Sequence, residues 1–490
     1  MVAMNPYLPE GVYIPDGEPH VFGDRVYIYG SCDLPNGHSF CLGDYHVYSA
    51  PITDLSDWST KGVALKRKGP HSMGGVHTLW APDVMQGNDG KYYMYYCYSW
   101  QNLICVASSD YPDGPFEYIG VVHHKDGKPY GHKNGDRHCF DPGALRDEDG
   151  KCYLYSGYSA ISPALKFMLR MRGARNVGAK GNQSMRLAED MMTIEEGPFN
   201  MLPGKDNGAG TGFEGHEFYE ASSMRKFNGR YYAIYSSTLS HELCYAISDH
   251  PMKGFVYGGI LCSNADIGFK GNEDPTMDYG NTHGSVERIN GKYYVFQHRQ
   301  TNLTENNRQG IAEEIKIDEN GHFKMVENTS YGLEGKPFSE FKEYPAYIAC
   351  VLKGRTSNRK VIYGKPRYDK FKDHPYLEFA DGHQLIRNLC DGAKAGYKYF
   401  AIGRKATIVL KLRGSEGTLL LADNESLSEA VEAKFQRNNG FSEIEIPFDF
   451  KGNKCPLYIS YKGNGHVDLL SFAIRPVDIS IRADKDCPLL

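Results

Sequence analysis

The sequence predicts an all-β protein: a five-bladed β-propeller over residues 1–335, followed by a β-sandwich of jelly-roll type over residues 336–490. Three observations carry this expectation: a hairpin motif repeated five times, a composition rich in strand and turn formers, and a change of pattern near residue 335. Tyrosine is abundant at 36 residues and glycine at 54, a mixture that suits short strands joined by tight turns. A chain of 490 residues is long for one domain, so at least two are expected.

The repeated motif is a turn glycine, usually a basic residue, then an aromatic-rich strand. Its copies are Gly23-Asp24-Arg25-Val26-Tyr27, Asp89-Gly90-Lys91-Tyr92-Tyr93, Asp149-Gly150-Lys151-Cys152-Tyr153, Asn228-Gly229-Arg230-Tyr231-Tyr232 and Asn290-Gly291-Lys292-Tyr293-Tyr294. Asp-Gly and Asn-Gly between strand-like runs are strong hairpin signals. The glycines stand 67, 60, 79 and 62 residues apart, which leaves room in each copy for four strands and variable loops. Five such copies describe five blades.

Lys plus Arg number 55 against 60 Asp plus Glu, a net charge of −5, which argues against nucleic-acid and anionic-membrane partners. No stretch reaches the ~18 apolar residues of a membrane span. Met1 to Gly11 lacks a basic region followed by an apolar core, so no secretory signal is expected and short imported substrates are favoured over intact polymer. The 12 cysteines are scattered and none forms a CxxC pair, so reduced thiols and a cytoplasmic location are expected.

In a propeller the first strand of each blade lines the central channel. Seven to nine residues before each turn glycine stands one polar residue: Asp16, Asp83, Asp141, Glu220 and His283. Taken singly, Asp16 and Asp141 read as loop aspartates beside Gly17 and Pro142, and Asp83 as a turn cap. Glu220, between aromatic and small residues, is poorly explained as a solvated face. Carboxylates gathered in an enclosed space are penalised by crowding and desolvation, so a shared use is expected. Two carboxyl groups flanking a sugar C–O bond, one protonated and one ionised, are the usual equipment of glycoside hydrolysis.

At these residues the sequence resembles glycoside hydrolase family 43, over roughly residues 5 to 325. The resemblance implies a five-bladed propeller and single-displacement hydrolysis with inversion. It implies that Asp16 is the general base, Glu220, in Phe218-Tyr219-Glu220-Ala221-Ser222-Ser223-Met224-Arg225-Lys226, the general acid, and Asp141 the carboxylate that raises the acid's pKa and orients it. His283 looks like the axial histidine that, in several members, sits beside a calcium ion or ordered water. No cofactor is otherwise implied. Arg299 resembles a basic residue near the sugar pocket. The sequence departs from the family in Gly17-Glu18-Pro19-His20 after Asp16, which makes Glu18 a rival base, and Glu214 and Glu217 are neighbours of the acid.

Of the three tryptophans, Trp80 and Trp100 are candidate sugar-stacking platforms and Trp58 is expected to pack at the rim. Beyond residue 335, short apolar runs at 406–412, 417–421, 442–446, 456–461 and 467–472 suggest two packed sheets. The end of this part resembles family 6 carbohydrate-binding modules. It has no tryptophan, so bracing the propeller is expected ahead of glycan binding. The expected activity is release of terminal L-arabinofuranose from arabino- or xylo-oligosaccharides, with β-xylosidase or endo-arabinanase as alternatives. A non-catalytic sugar-binding propeller is a further alternative, and an invertase-like fructosidase fits the motifs poorly.

Overall fold

The computed structural model describes residues 3–171 and 177–477. The chain divides into two compact units. One takes the chain up to Asn328 with Gly332–Glu334 and Arg359–Arg367; the other takes Thr329–Tyr331, Gly335–Asn358 and the chain from Tyr368 onward. The single boundary expected near residue 335 is therefore crossed more than once, because a nine-residue segment returns to the first unit.

The first unit is built from five antiparallel sheets in chain order. Their first strands are Glu18–Phe22, Leu79–Gln86, Gly143–Arg146, Phe218–Phe227 and Ser285–Ile289. The first, second and fourth sheets have four strands in sequential order; the third gains a short parallel strand, His123–His124, at its edge. The fifth has three strands rather than the four expected. Its edge strand, Thr304–Ile315, is met by the N-terminal segment: Asn5 Nδ2 donates to Ala312 O (3.1 Å) and Ala312 N donates to Asn5 Oδ1 (2.9 Å). An Asn side-chain amide thus pairs with that edge as a neighbouring backbone would.

All five turn glycines adopt positive φ, from 63° to 85°. At Asn228-Gly229 and Asn290-Gly291 both loop residues are left-handed, which gives two-residue hairpins of the type I′ form. The two Asp-Gly-Lys copies instead make longer loops, in which Asp89 and Asp149 accept the N–H groups of Lys91 and Lys151.

Each sheet buries both faces. Apolar seams join the first and second sheets (Tyr29, Val47, Met94, Tyr96), the second and third (Tyr95, Val106, Leu154, Met185), the third and fourth (Tyr155, Met224, Tyr235), the fourth and fifth (Ile234, Tyr245, Val295, Ile315) and the fifth and first (Ile28, Ala50, Phe296, Ala312). Double-sided burial explains why these strands read as aromatic-rich runs rather than clean alternation. The first strands touch one another in the same cyclic order. Gly143 marks one close approach, since a Cβ there would lie 2.4 Å from Ser222 O.

The second unit is two antiparallel sheets. One has five strands, Val351–Lys353, Lys394–Phe400, Cys455–Lys462, Gly417–Ala422 and Val431–Phe435 in spatial order. The other runs Tyr376–Ala380, His383–Cys390, His466–Pro476, Lys405–Gly414 and Asn438–Asp449, with Glu343–Pro345 also on His466–Pro476. Each apolar run singled out after residue 335 falls within one of these strands.

Candidate active site

Asp16, Asp141 and Glu220 all line one cavity of about 410 Å³ in the first unit, together with His283. Each acid sits at a backbone kink at the head of a first strand. Asp16 and Asp141 have φ of 58° and 42°, and Ala221, directly after Glu220, has φ of 65° beside a break in strand register. Left-handed backbone is costly at non-glycine residues and concentrates at functional sites. Here it turns three carboxyl groups out of their sheets and into one hollow.

Burial alone would raise the pKa of Asp16. Arg308 overrides it: Nη1 donates to Asp16 Oδ1 at 2.8 Å, and the carboxyl is held below its ordinary range. Arg308 is itself fixed by Asp33, through Nε to Oδ2 at 2.9 Å and Nη2 to Oδ1 at 3.1 Å. His298 completes the support. Its Nε2–H donates to Asn281 O at 2.9 Å, which leaves Nδ1 to accept the Asp16 N–H at 3.3 Å. Burial lowers His298 to about 3, so this ring is neutral at working pH.

Glu220 lies at the other electrostatic extreme. Burial raises its pKa well above the usual value, and the nearby charge of Asp141 raises it further. Asp141 is also raised, by burial first and by Asp16. Asp141 Oδ2 accepts the Ala221 N–H at 3.1 Å, so this carboxyl is tied to the backbone beside Glu220. His283 is raised to about 9: burial opposes its charge, and Glu18, Asp141 and Asp16 favour it. Its Nδ1 lies 3.5 Å from Asp141 Oδ2 and 4.0 Å from Asp16 Oδ1. A fourth carboxyl, Glu305, accepts the Asn281 N–H at 3.2 Å.

Trp80 and Trp100 both line the cavity and meet edge to face, 5.2 Å between centroids at 71°. Trp80 also abuts Phe140 at 5.1 Å, and Phe140 abuts Tyr158 at 4.7 Å. An adjoining hollow of about 550 Å³ shares Phe40, Trp80, Trp100 and Tyr363 and adds Met73, Val76, His77 and Gln101. Trp58 packs on Tyr7 away from both.

Arg299, Asp83 and Glu18 do not line the cavity, and of these Arg299 is the one expected near it. Arg299 is buried but does not line the cavity; its Nη2 donates to Gln309 at 3.3 Å. Successive residues of a strand face opposite sides. His298 points to Asp16, so Arg299 points away, and Arg308 on the neighbouring strand supplies the basic group. Asp83 lies deeper than the cavity, with Oδ1 2.6 Å from His20 Nε2 and Oδ2 accepting the Ala144 N–H at 2.7 Å. Glu18, the rival base, is salt-bridged to Arg225 at 2.9 Å and does not line the cavity.

Several cavity residues had no place in the sequence reading: Arg308, Glu305, Met168 and Leu169 of the helix Pro163–Met171, and Lys360 and Tyr363 of the returning segment. The run Thr304-Glu305-Asn306-Asn307-Arg308-Gln309, six polar residues inside a strand, was the available signal for the first two.

A buried carboxyl whose pKa is held down and another whose pKa is pushed up, facing one sugar-sized cavity walled by aromatic rings, are the equipment of a glycoside hydrolase. Sequence and structure comparisons agree. The model of glycosyl hydrolases family 43 matches residues 37–323, and the chain belongs to that family. It is 40% identical to the "Xylosidase/arabinosidase" of Thermoclostridium stercorarium, over 96% of this chain and 98% of that protein. A GH43_1 enzyme from Xanthomonas citri complexed with xylose is 26% identical, with a TM-score of 0.51 over 67% of this chain and 93% of that one. A family 43 arabinoxylan arabinofuranohydrolase from Bacillus subtilis, in complex with cellotetraose, shares the fold at 18% identity, with a TM-score of 0.50 over 96% of this chain and 97% of that one.

Proposed function

We propose that the protein is an inverting, exo-acting glycoside hydrolase that releases terminal pentose, L-arabinofuranose first and xylose second, from short arabino- or xylo-oligosaccharides. The observation that carries this reading is the opposed tuning of Asp16 and Glu220 in one cavity. Glu220, protonated, donates its proton to the glycosidic oxygen as the C–O bond breaks. Asp16, ionised and held by Arg308, takes a proton from the water that attacks the anomeric carbon from the opposite face. Asp141 keeps Glu220 protonated by like-charge repulsion. Arabinose and xylose both suit relatives described as xylosidase/arabinosidase.

An exo mode is supported by what surrounds the cavity. The helix Pro163–Met171 and the segment 359–367 both contribute to its lining, which favours a pocket that accepts a chain end. The adjoining hollow beside Trp100 offers a place for the leaving sugar.

We further read the five sheets as the blades of a propeller, supported by five apolar seams in cyclic order, and the second unit as a jelly-roll sandwich. Among its described residues only Tyr368 and Val477 are exposed large hydrophobics, which supports a role other than glycan binding. The eleven described cysteines are thiols rather than disulfides, in keeping with a reducing compartment.

The deciding experiment compares nitrophenyl arabinofuranoside and xyloside side by side, with NMR of the first-formed anomer. Glu220→Gln should abolish turnover of oligosaccharides while leaving sugar binding intact. Near wild-type turnover of an oligosaccharide by that variant would remove Glu220 from the acid role, and a retained anomer would remove the single-displacement mechanism.

A further inference from the structure

Resemblance to the family implies a calcium ion or ordered water beside His283, and the residues there test the ion. Nδ1 of His283 faces Asp141 and Asp16, and Nε2 lies 3.5 Å from Glu18 Oε1. Both ring nitrogens are therefore turned to carboxyl groups. Farther from the cavity, the structure gathers the oxygens a hard cation takes: a carboxylate from Glu18, the carbonyls of Pro19 and Met224, and the hydroxyl of Ser223. One guanidinium already holds all four. Arg225 Nη2 donates to Glu18 Oε2 at 2.9 Å and to Pro19 O at 2.8 Å. Its Nη1 donates to Met224 O at 2.8 Å and Ser223 Oγ at 3.3 Å.

Glu18 Oε1 and Arg225 Nε are buried without a hydrogen bond of their own, and each faces a group of opposite or potential opposite charge, His283 and Glu287. Arg225 Nε faces Glu287 Oε2 at 3.6 Å, and Nη2 lies 3.5 Å from His20 Nε2. Glu18, His20 and Asp83 bring ligand atoms within 4.8 Å of one another, a spacing a metal could bridge. Yet His20 is bound to Asp83 at 2.6 Å, and the second Asp83 oxygen accepts the Ala144 N–H. A divalent ion placed among them would lie a few ångströms from a buried guanidinium, where repulsion is poorly screened. The donor set fits arginine and does not fit calcium.

We propose that Arg225 is the resident cation of this buried cluster, filling the ligand set of a metal, so that fold and activity do not depend on calcium. The departure Gly17-Glu18-Pro19-His20 from the family pattern then has a use: it supplies Glu18, the Pro19 carbonyl and His20 as partners of Arg225. The inference is independent of which sugar the enzyme releases.

The test uses the full chain. Protein treated with chelator and protein supplied with millimolar calcium should share the same melting temperature within about 1 °C and the same kcat/KM, and the purified protein should carry calcium well below one ion per chain by elemental analysis. A stoichiometric ion that survives gel filtration, with melting temperature falling on chelation, would overturn the proposal. Arg225→Met should lower the melting temperature by roughly 8 °C or more, because it leaves Glu18 buried without its partner. Arg225→Lys, which keeps the charge, should recover part of that loss; equal losses for the two variants would refute the charge role. Should Arg225→Met fail to fold, the metal content and chelator response of the wild type still decide.

Discussion

Replacing Arg308 with methionine tests the assignment of Asp16 as base. Arg308 Nη1 lies 2.8 Å from Asp16 Oδ1, and the same guanidinium holds Asp33 at 2.9 and 3.1 Å. At an effective dielectric near 20, opposite charges centred about 4 Å apart attract by about 4 kcal/mol, equivalent to about three pK units. Removing that attraction takes away the largest group opposing the burial of Asp16, so its pKa rises from below the ordinary range. The acid limb of the kcat/KM profile should then move up by about two to three pH units. Arg308→Lys keeps a charge at the site and should move the limb by less than about one unit. The assay is a pH–rate profile on an aryl pentoside at 25 °C, with melting temperatures measured in parallel, because stranding buried Asp33 costs about 3–5 kcal/mol of stability. A folded Arg308→Met protein whose acid limb stays in place would refute the idea that Arg308 sets the ionisation of the base.

Asp141→Asn keeps a side-chain oxygen for the Ala221 N–H but removes the charge that raises Glu220, so the basic limb of the same profile should shift to lower pH; an unmoved limb would show that burial alone tunes the acid. Trp100→Ala should raise KM for oligosaccharides several-fold more than for nitrophenyl glycosides, since Trp100 borders the adjoining hollow; equal effects would place the ring under the terminal sugar instead. His283, raised in the folded state to about 9 against about 6.5 unfolded, contributes stability that is full below about pH 6.5 and is lost as pH rises through about 9. Melting temperature should therefore fall between pH 7 and 9.5 in the wild type and fall less in His283→Gln, and parallel curves would show that His283 is not charged in the fold.

The parts of this protein legible from sequence are those set by local chemistry. Each turn glycine adopts the left-handed backbone its hairpin needs, so the five repeats could be counted without coordinates. Counting back seven to nine residues from those turns reached Asp16, Asp141, Glu220 and His283, although the first strands themselves run from four to ten residues. Arg299 and Arg308 show where that logic stops. Both are buried and basic and lie on adjacent strands, and only strand parity, fixed by His298, decides which one meets the base. The helix Pro163–Met171 left only an indirect trace, the 79-residue interval between the third and fourth turn glycines. Lys360 and Tyr363 lie beyond the last repeat and come to the cavity through a return of the chain that no local pattern announces.

The kinks at Asp16, Asp141 and Ala221 tie the electrostatics to the backbone. A regular strand alternates its side chains between the two faces of its sheet, and in this unit both faces are covered by apolar seams. At the three acids, a break in the backbone at or beside the carboxyl residue turns the side chain into the cavity instead of along that alternation. Left-handed backbone at a residue with a side chain costs on the order of 1–2 kcal/mol, so it persists where surrounding contacts hold it. At the acid, the contact is chemical as well as structural. The irregular backbone at Glu220 and Ala221 leaves the Ala221 N–H directed at Asp141, and Asp141 accepts it at 3.1 Å. Asp141, whose charge adds to burial in raising the Glu220 pKa, is thereby fixed by the same distortion that presents Glu220. Relaxing Ala221 to regular strand geometry would move Glu220 out of the cavity and break the contact of its neighbour with Asp141 in one step, so the position of Glu220 and one cause of its raised pKa share a single feature of the backbone.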